Sequence, residues 1–183
     1  MLGTSKDIKN PGLNILPPGV ERHVVNGGAL TAFQIFPDDE LEIINNEGNQ
    51  ICEIICFNKD GKSDVGILNL KLNNDKNFIR SILNGKDETI LATNHQLKKR
   101  NLNISDSKSS IIFDLDTKAG ESFKLKSKDK CYAIFAAPSE DMDVTNQNPP
   151  SDLTIFIKRS QIVNDKELNV IPDPVYEPYM KKI

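Results

Sequence analysis

The chain has 183 residues, of which 38% are hydrophobic and 27% charged, and its net charge is −3. This composition is typical of one globular domain and excludes a chain that is disordered throughout. The basic residues are spread along the sequence, which argues against nucleic-acid binding, and no apolar run approaches the roughly 20 residues of a membrane span. We therefore expect a cytoplasmic protein with no nucleic-acid or membrane partner.

The two ends of the chain differ in pattern from the middle. Residues 1–20 contain Pro11, Pro17 and Pro18, which predict an extended N-terminal segment. Residues 161–183 lose the apolar alternation and are rich in proline, which predicts a linker or a docking tail. Between them, residues 21–160 are expected to form the folded domain.

The middle of the chain is dominated by strand patterns. Alternation of apolar and polar residues, or short apolar runs, predicts at least seven strands, at residues 29–36, 40–43, 51–57, 111–115, 123–126, 131–137 and 153–158. The runs 51–57 and 131–137 are apolar on both faces and predict central strands. Turn residues at Asn46-Glu47-Gly48 and Asp60-Gly61 predict hairpins between consecutive strands.

Two helices interrupt the strands. Residues 78–83 carry an apolar stripe, with Asp75 as a candidate N-terminal cap and Asn84-Gly85 as a stop. A second short helix is predicted to begin at Thr93. The sequence therefore predicts a mainly β fold, an antiparallel β-sandwich or barrel with one or two short helices on the crossover.

Cysteine and histidine are too scarce for most metal or catalytic sites. Cys52, Cys56 and Cys131 lie in apolar runs, which favours reduced core thiols. His23 and His95 occur in no recognisable catalytic or zinc motif, and both are expected to be solvated. There is also no glycine-rich phosphate loop that opens a helix. We therefore predict no metal, no cofactor and no catalytic residue.

Glu53 is the one carboxylate that interrupts a strongly apolar strand. A buried acid must be paired or have a shifted pKa, so one interpretation is a structural ion pair with Arg22, Arg80 or Arg159. The other interpretation is a cavity in which Glu53 binds a small amine or acts as a general base, with Cys52 beside it.

A long polar crossover joins the last two predicted strands. It runs from Ala136 to Leu153 and includes Pro149-Pro150, which fixes the backbone just before the final strand. Loops of this kind often line a binding site, which makes Asn148 and Asp152 candidate ligand-binding residues. The alternative is a structural crossover whose polar side chains bond to their own turns.

Three stretches together resemble a known family. Residues 36–53 (FPDDELEIINNEGNQICE) are similar to a hairpin of the urea-carboxylase-associated domain of unknown function. Residues 136–138 and 148–153 (NPPSDL) resemble the variant of that domain found at the N-terminus of aminomethyltransferases related to the glycine cleavage T-protein. The connector at residues 172–178 (PDPVYEP) matches the one that leads to the next domain in those proteins.

The resemblance implies an accessory domain of one-carbon or amine metabolism. Metal-binding members of the family would use two cysteines and a His-Asp pair; Cys52 and Cys131 match, but the sequence has no His-Asp dipeptide. The folate-binding machinery would lie in a downstream domain.

These observations lead to one functional prediction and one alternative. The prediction is an accessory β module, non-catalytic by itself, that accompanies an aminomethyltransferase-like domain or subunit or a urea-amidolyase system. The alternative is a small stand-alone enzyme or small-molecule-binding protein that uses a barrel cavity around Glu53.

Overall fold

The computed structural model describes residues 16–73, 77–86, 88–139 and 148–160. Eight strands and two α-helices lie in these ranges: β1 Val20–Val25, β2 Leu30–Ile35, β3 Glu40–Asn45, β4 Glu53–Phe57, α1 Phe78–Leu83, α2 Glu88–Lys99, β5 Ser109–Ile111, β6 Glu121–Lys126, β7 Cys131–Ala136 and β8 Leu153–Lys158. A 3-10 helix covers Val65–Leu68. The predicted cap Asp75 and the predicted tail at 161–183 lie outside the described residues.

The strands form two antiparallel four-stranded sheets. The first has the order β1-β8-β3-β6 and the second the order β2-β7-β4-β5. Every connection between consecutive strands passes from one sheet to the other except β4 to β5, which carries the helices. This winding is that of a jelly roll, a sandwich of two Greek keys. The predicted mainly β, antiparallel fold is confirmed in its sandwich form.

Two apolar clusters hold the layers together. Between the sheets, side chains from both inner faces pack into one core that includes Phe33, Ile43, Phe135 and Ile155. A second cluster lies between the outer face of the β2-β7-β4-β5 sheet and the helices. That sheet is therefore buried on both faces, which explains why β7 is apolar along its whole length and β4 is apolar apart from Glu53.

The predicted hairpin between β3 and β4 is wrong. β3 pairs with β6 and β8, whereas β4 pairs with β5 and β7. Gly48 and Asn49 do turn the chain, with φ angles of 80° and 56°, but the turn carries it across to the other sheet. Turn residues reverse the chain in either case, so their sequence does not distinguish a hairpin from a crossing.

Two element boundaries also differ from the prediction. Helix α2 begins at Glu88 rather than at Thr93, because Glu88 to Ala92 includes good helix formers and an acidic first turn suits the helix dipole. Strand β5 is Ser109–Ile111, since the chain turns at Asp114, where Thr117 N donates to Asp114 O at 3.3 Å. No helix in the described ranges is long and apolar enough to cross a membrane.

Candidate functional site

Cys52 and Glu53 are neighbours in sequence but face opposite sides of the β2-β7-β4-β5 sheet. The Cys52 side chain is fully buried in the core between the sheets, while Glu53 lies under helix α1. This follows from the alternation of side chains along a strand. The two residues therefore do not share a cavity.

Glu53 holds helix α1 and strand β5 against β4. One carboxylate oxygen, Oε2, accepts a hydrogen bond from Ile79 N at 2.6 Å, and Oε1 accepts one from Ser109 Oγ at 2.6 Å. An anion at the first turn of a helix is favoured by the exposed N–H groups there. These contacts account for a carboxylate that is only 1% exposed.

None of the three arginines predicted as partners of Glu53 forms the ion pair: two of them bind other groups, and the third lies in the other sheet. Arg80 donates to Ile104 O and Ser107 O, Arg159 binds two other carboxylates, and Arg22 is exposed on β1 in the opposite sheet. Glu53 lines none of the cavities described below.

Asn148 and Asp152 both lie at one end of the sandwich. Asn148 Nδ2 donates to Asn49 O at 3.1 Å, and Asp152 Oδ1 accepts from Gly27 N at 2.9 Å. Between them, Gln50 Oε1 accepts from the backbone N of Ser151 at 2.7 Å. The cavity that Asn148 lines there has a volume of only about 10 Å³, roughly the room for one water molecule, and Asp152 does not line it. The side chains of Asn148 and Asp152 therefore join neighbouring loops through hydrogen bonds to the backbone.

A charged network that the sequence did not reveal joins β1, β3 and the end of β8. Arg159 donates its Nε and Nη2 to the two carboxylate oxygens of Glu21, at 2.7 and 2.9 Å, and its Nη1 to Asp39 Oδ2 at 2.7 Å. Glu21 Oε2 also lies 3.0 Å from His23 Nε2. The imidazole ring packs 4.3 Å from the ring of Phe33, measured between centroids.

Glu21 is ionised throughout the physiological pH range. Burial alone raises its pKa, but hydrogen bonds from His23 and Arg159 outweigh that effect and lower the pKa to about 2. The side chains of His23 and Glu21 remain 21% and 25% exposed. An imidazole that is held by a carboxylate and reachable from solvent is an arrangement used in general acid–base catalysis.

The signal for this pair was in the sequence. Glu21 and His23 are two residues apart, so in a strand they share one face. His23 is predicted to be solvated, but its spacing to Glu21 already indicates that the two side chains lie side by side. The second histidine, His95, is exposed on α2, as predicted.

The cysteines confirm the prediction of reduced, buried thiols, since all three are free. The two that the resemblance suggests as metal ligands, Cys52 and Cys131, are far apart. In the β4–β7 register Glu53 is opposite Ala136, which places Cys52 opposite Ala137, six residues from Cys131, or about 20 Å along the strands. They cannot bind one ion. Among the described residues, no group of three or more His, Cys, Asp or Glu is placed to hold a metal.

A wide groove lies along strands β3 and β6. It has a volume of about 890 Å³ and combines the rings of Phe123 and Phe156 with carboxylates and lysines, including Glu42 and Lys124. A cavity of about 580 Å³ lies between the 3-10 helix and the loop before β5.

Comparison with known proteins points to an enzyme. A protein of Ruegeria pomeroyi named trimethylamine-oxide aldolase is 30% identical to this chain over 171 residues, which are 93% of the chain. The chain spans 22% of the length of that relative. No protein-family model matches the chain.

One solved structure, a DUF1989 family protein from Silicibacter pomeroyi, covers 78% of this chain and 80% of its own. It is 8% identical with a TM-score of 0.43, values that support no argument about function.

Similarity to this aldolase overturns the prediction that the chain is an accessory module with no catalytic activity. The match extends over nearly the whole chain, and the matching protein is named as an enzyme. The comparison favours the alternative, an enzyme or small-molecule-binding protein, although not with Glu53 in an open cavity. It does not show the link to urea carboxylase or to aminomethyltransferases.

Proposed function

We propose that this chain forms part of an enzyme that breaks a carbon–nitrogen bond in a methylated amine N-oxide. The observation that carries the proposal is the 30% identity to a trimethylamine-oxide aldolase over 93% of the chain. The earlier prediction of a small amine ligand agrees with this class of substrate.

The chemistry requires the movement of a proton. An aldolase reaction on trimethylamine N-oxide yields dimethylamine and formaldehyde, so the oxygen passes from nitrogen to carbon and one hydrogen passes from carbon to nitrogen. The atoms balance without water or an external oxidant. A positioned general base and acid accelerates such a step by about 10²- to 10⁴-fold.

Within the described residues, His23 and Glu21 are the pair that we place in this role. Their atoms His23 Nε2 and Glu21 Oε2 are 3.0 Å apart, and both side chains are partly accessible. Arg159 keeps Glu21 ionised, so the carboxylate orients the imidazole.

The test is formaldehyde release from trimethylamine N-oxide by the protein in the form in which its source cell makes it. The chain has two histidines, which provide a matched pair of variants. We expect His23→Gln to lower kcat by about 10²-fold or more and exposed His95→Gln to leave it unchanged.

The outcomes separate the two parts of the proposal. If the unaltered protein releases no formaldehyde or dimethylamine, the function is wrong. If it does and His23→Gln is as active as the unaltered protein, the function stands and the role of His23 is wrong.

Four further predictions belong with this proposal. A cytoplasmic location fits three free, buried thiols. Membership in the urea-carboxylase-associated family and an aminomethyltransferase-like partner remain predictions, as does the division at residues 20 and 160.

A further inference from the structure

A basic cavity lies beside strand β7, on the helix side of the sheet. Its volume is about 390 Å³, within the range of small-molecule sites. Lys59, Arg100 and Lys130 line it, and no carboxylate is among the described residues that do so. Three positive charges around one concave surface favour an anionic occupant.

Two buried polar atoms of the residues that line this cavity, the Nε of Arg100 and the hydroxyl oxygen of Tyr132, make no well-formed hydrogen bond with any described residue. Tyr132 is only 5% exposed, and the guanidinium carbon of Arg100 lies 4.9 Å from the centre of its ring. Buried polar groups are nearly always hydrogen-bonded, and a group left unpaired destabilises the fold.

Both atoms can donate a hydrogen bond. The arginine Nε–H is only a donor, and burial raises the pKa of the Tyr132 phenol while Arg100 opposes that effect, so the hydroxyl keeps its proton. A negatively charged oxygen would accept hydrogen bonds from both the Arg100 Nε–H and the Tyr132 hydroxyl.

Three separate turns bring the charges together. Arg100 follows helix α2, and Asn101, in the left-handed conformation with φ of 55°, then turns the chain. Lys59 lies in the turn after β4, and Lys130 immediately precedes β7. The Lys130 Nζ lies 5.1 Å from the centre of the Phe36 ring. These three basic residues are far apart in sequence, and the folded sheet brings them together around the cavity.

We propose that this cavity binds the oxyanion group, phosphate or carboxylate, of a small metabolite. Arg100 and Tyr132 donate hydrogen bonds to its oxygens, and the lysines balance its charge. This site is separate from the Glu21–His23 pair and does not depend on the proposed reaction.

The test is direct binding of two probes, inorganic phosphate and glutarate, to the intact protein at about 0.15 M ionic strength by isothermal titration calorimetry. The probe that binds more tightly identifies the group. Arg100→Gln removes the charge and the Nε donor, and Tyr132→Phe removes only the hydroxyl. Lys99→Gln, one residue away on the exposed face of α2, is the matched control.

We expect Arg100→Gln to raise the Kd by about 10-fold or more and Tyr132→Phe by about 3- to 10-fold, because charge-assisted bonds are the stronger ones. Lys99→Gln should change it by less than about twofold, since an exposed charge is screened. Because the Tyr132 hydroxyl makes no well-formed hydrogen bond with the described residues, Tyr132→Phe should leave the thermal midpoint without ligand unchanged or slightly higher.

Several results would overturn the proposal. One is no binding of either probe at about 10 mM, where even a weak specific site is occupied. Another is equal binding by the unaltered protein and Arg100→Gln, or equal losses in Arg100→Gln and Lys99→Gln. A clear fall in the thermal midpoint of ligand-free Tyr132→Phe would show that the hydroxyl already has a structural partner.

Discussion

Replacing Arg159 by methionine should remove the cation that pairs two carboxylates inside the sandwich. The Arg159 side chain is 5% exposed, and it donates four hydrogen bonds, two to Glu21 and one each to Asp39 and the carbonyl of Gln34. Methionine fills much of the same volume, so the change tests the charge and the hydrogen bonds rather than the packing.

The expected cost is about 4 kcal/mol of unfolding free energy. Four hydrogen bonds at about 1 kcal/mol net each give this figure, and breaking a buried ion pair by removing one partner costs about 3–5 kcal/mol. Asp39, which is fully buried, should account for most of the loss, because Glu21 is 25% exposed and partly screened. A loss of this size should lower the melting temperature by roughly 8–16 °C.

Urea denaturation at pH 7 measures the change, with Lys158→Met as the control. Lys158 precedes Arg159, but its side chain is 67% exposed and its ion pair with Glu40 lies at the surface. We expect the control to cost less than about 1 kcal/mol. A cost below about 1 kcal/mol for Arg159→Met would refute the reasoning, because it would mean that the two carboxylates reach solvent without difficulty.

The same variant should change the acid dependence of stability. The pKa of Glu21 is about 2 in the folded protein against 4.5 as the ordinary value. A lowered pKa stabilises the fold above pH 4.5, and this contribution is lost as the pH falls from 4.5 towards 2. Because Arg159 causes part of the lowering, Arg159→Met should lose less stability than the unaltered protein across this interval.

Three further predictions concern buried residues elsewhere. Glu53→Gln should keep the fold and lose about 1–3 kcal/mol in a urea titration, because an amide cannot accept both short hydrogen bonds; an unchanged midpoint would show that the carboxylate is solvated. Gly27→Ala should cost about 1–3 kcal/mol, since a Cβ would lie 2.5 Å from the backbone oxygen of Pro150; a stability equal to that of the unaltered protein would contradict this crowding. Cys52 and Cys56 should not react with a thiol reagent at pH 8 before the protein unfolds. Burial raises the pKa of Cys52, and a hydrogen bond with the Cys131 thiol together with burial raises the pKa of Cys56. Rapid labelling of both thiols in the native protein would contradict this prediction.

The sandwich could be predicted because its strands are short and strongly patterned. Leu41 and Ile43 alternate with glutamates because one face of β3 meets the core, and β7 is apolar on both faces because helices cover it. Strand pairing could not be predicted in the same way. The pairing of β1 with β8 joins residues 128 to 138 positions apart, and nothing local in either strand identifies the other.

Glu53 shows where reasoning about one residue reaches its limit. Its apolar neighbours correctly implied burial, and burial correctly implied a partner. The partner could not be identified, because a carboxylate is satisfied by a backbone amide as well as by an arginine. Which of them is present depends on where helix α1 begins relative to β4, and tertiary packing decides that position.

The charged network around Arg159 and the basic cavity beside Tyr132 could not be predicted from the sequence for a related reason. Arg159 and Glu21 are separated by 138 residues, and the cavity takes its three cations from three different turns. In a sequence, each of these residues is an ordinary charge near the end of an element, and such charges usually belong to solvated surfaces. What distinguishes Arg100 is that its Nε is buried without a partner beside the hydroxyl of Tyr132. Such an observation exists only once the fold has placed both atoms, so functional residues at the ends of elements are the ones that sequence patterns reveal least.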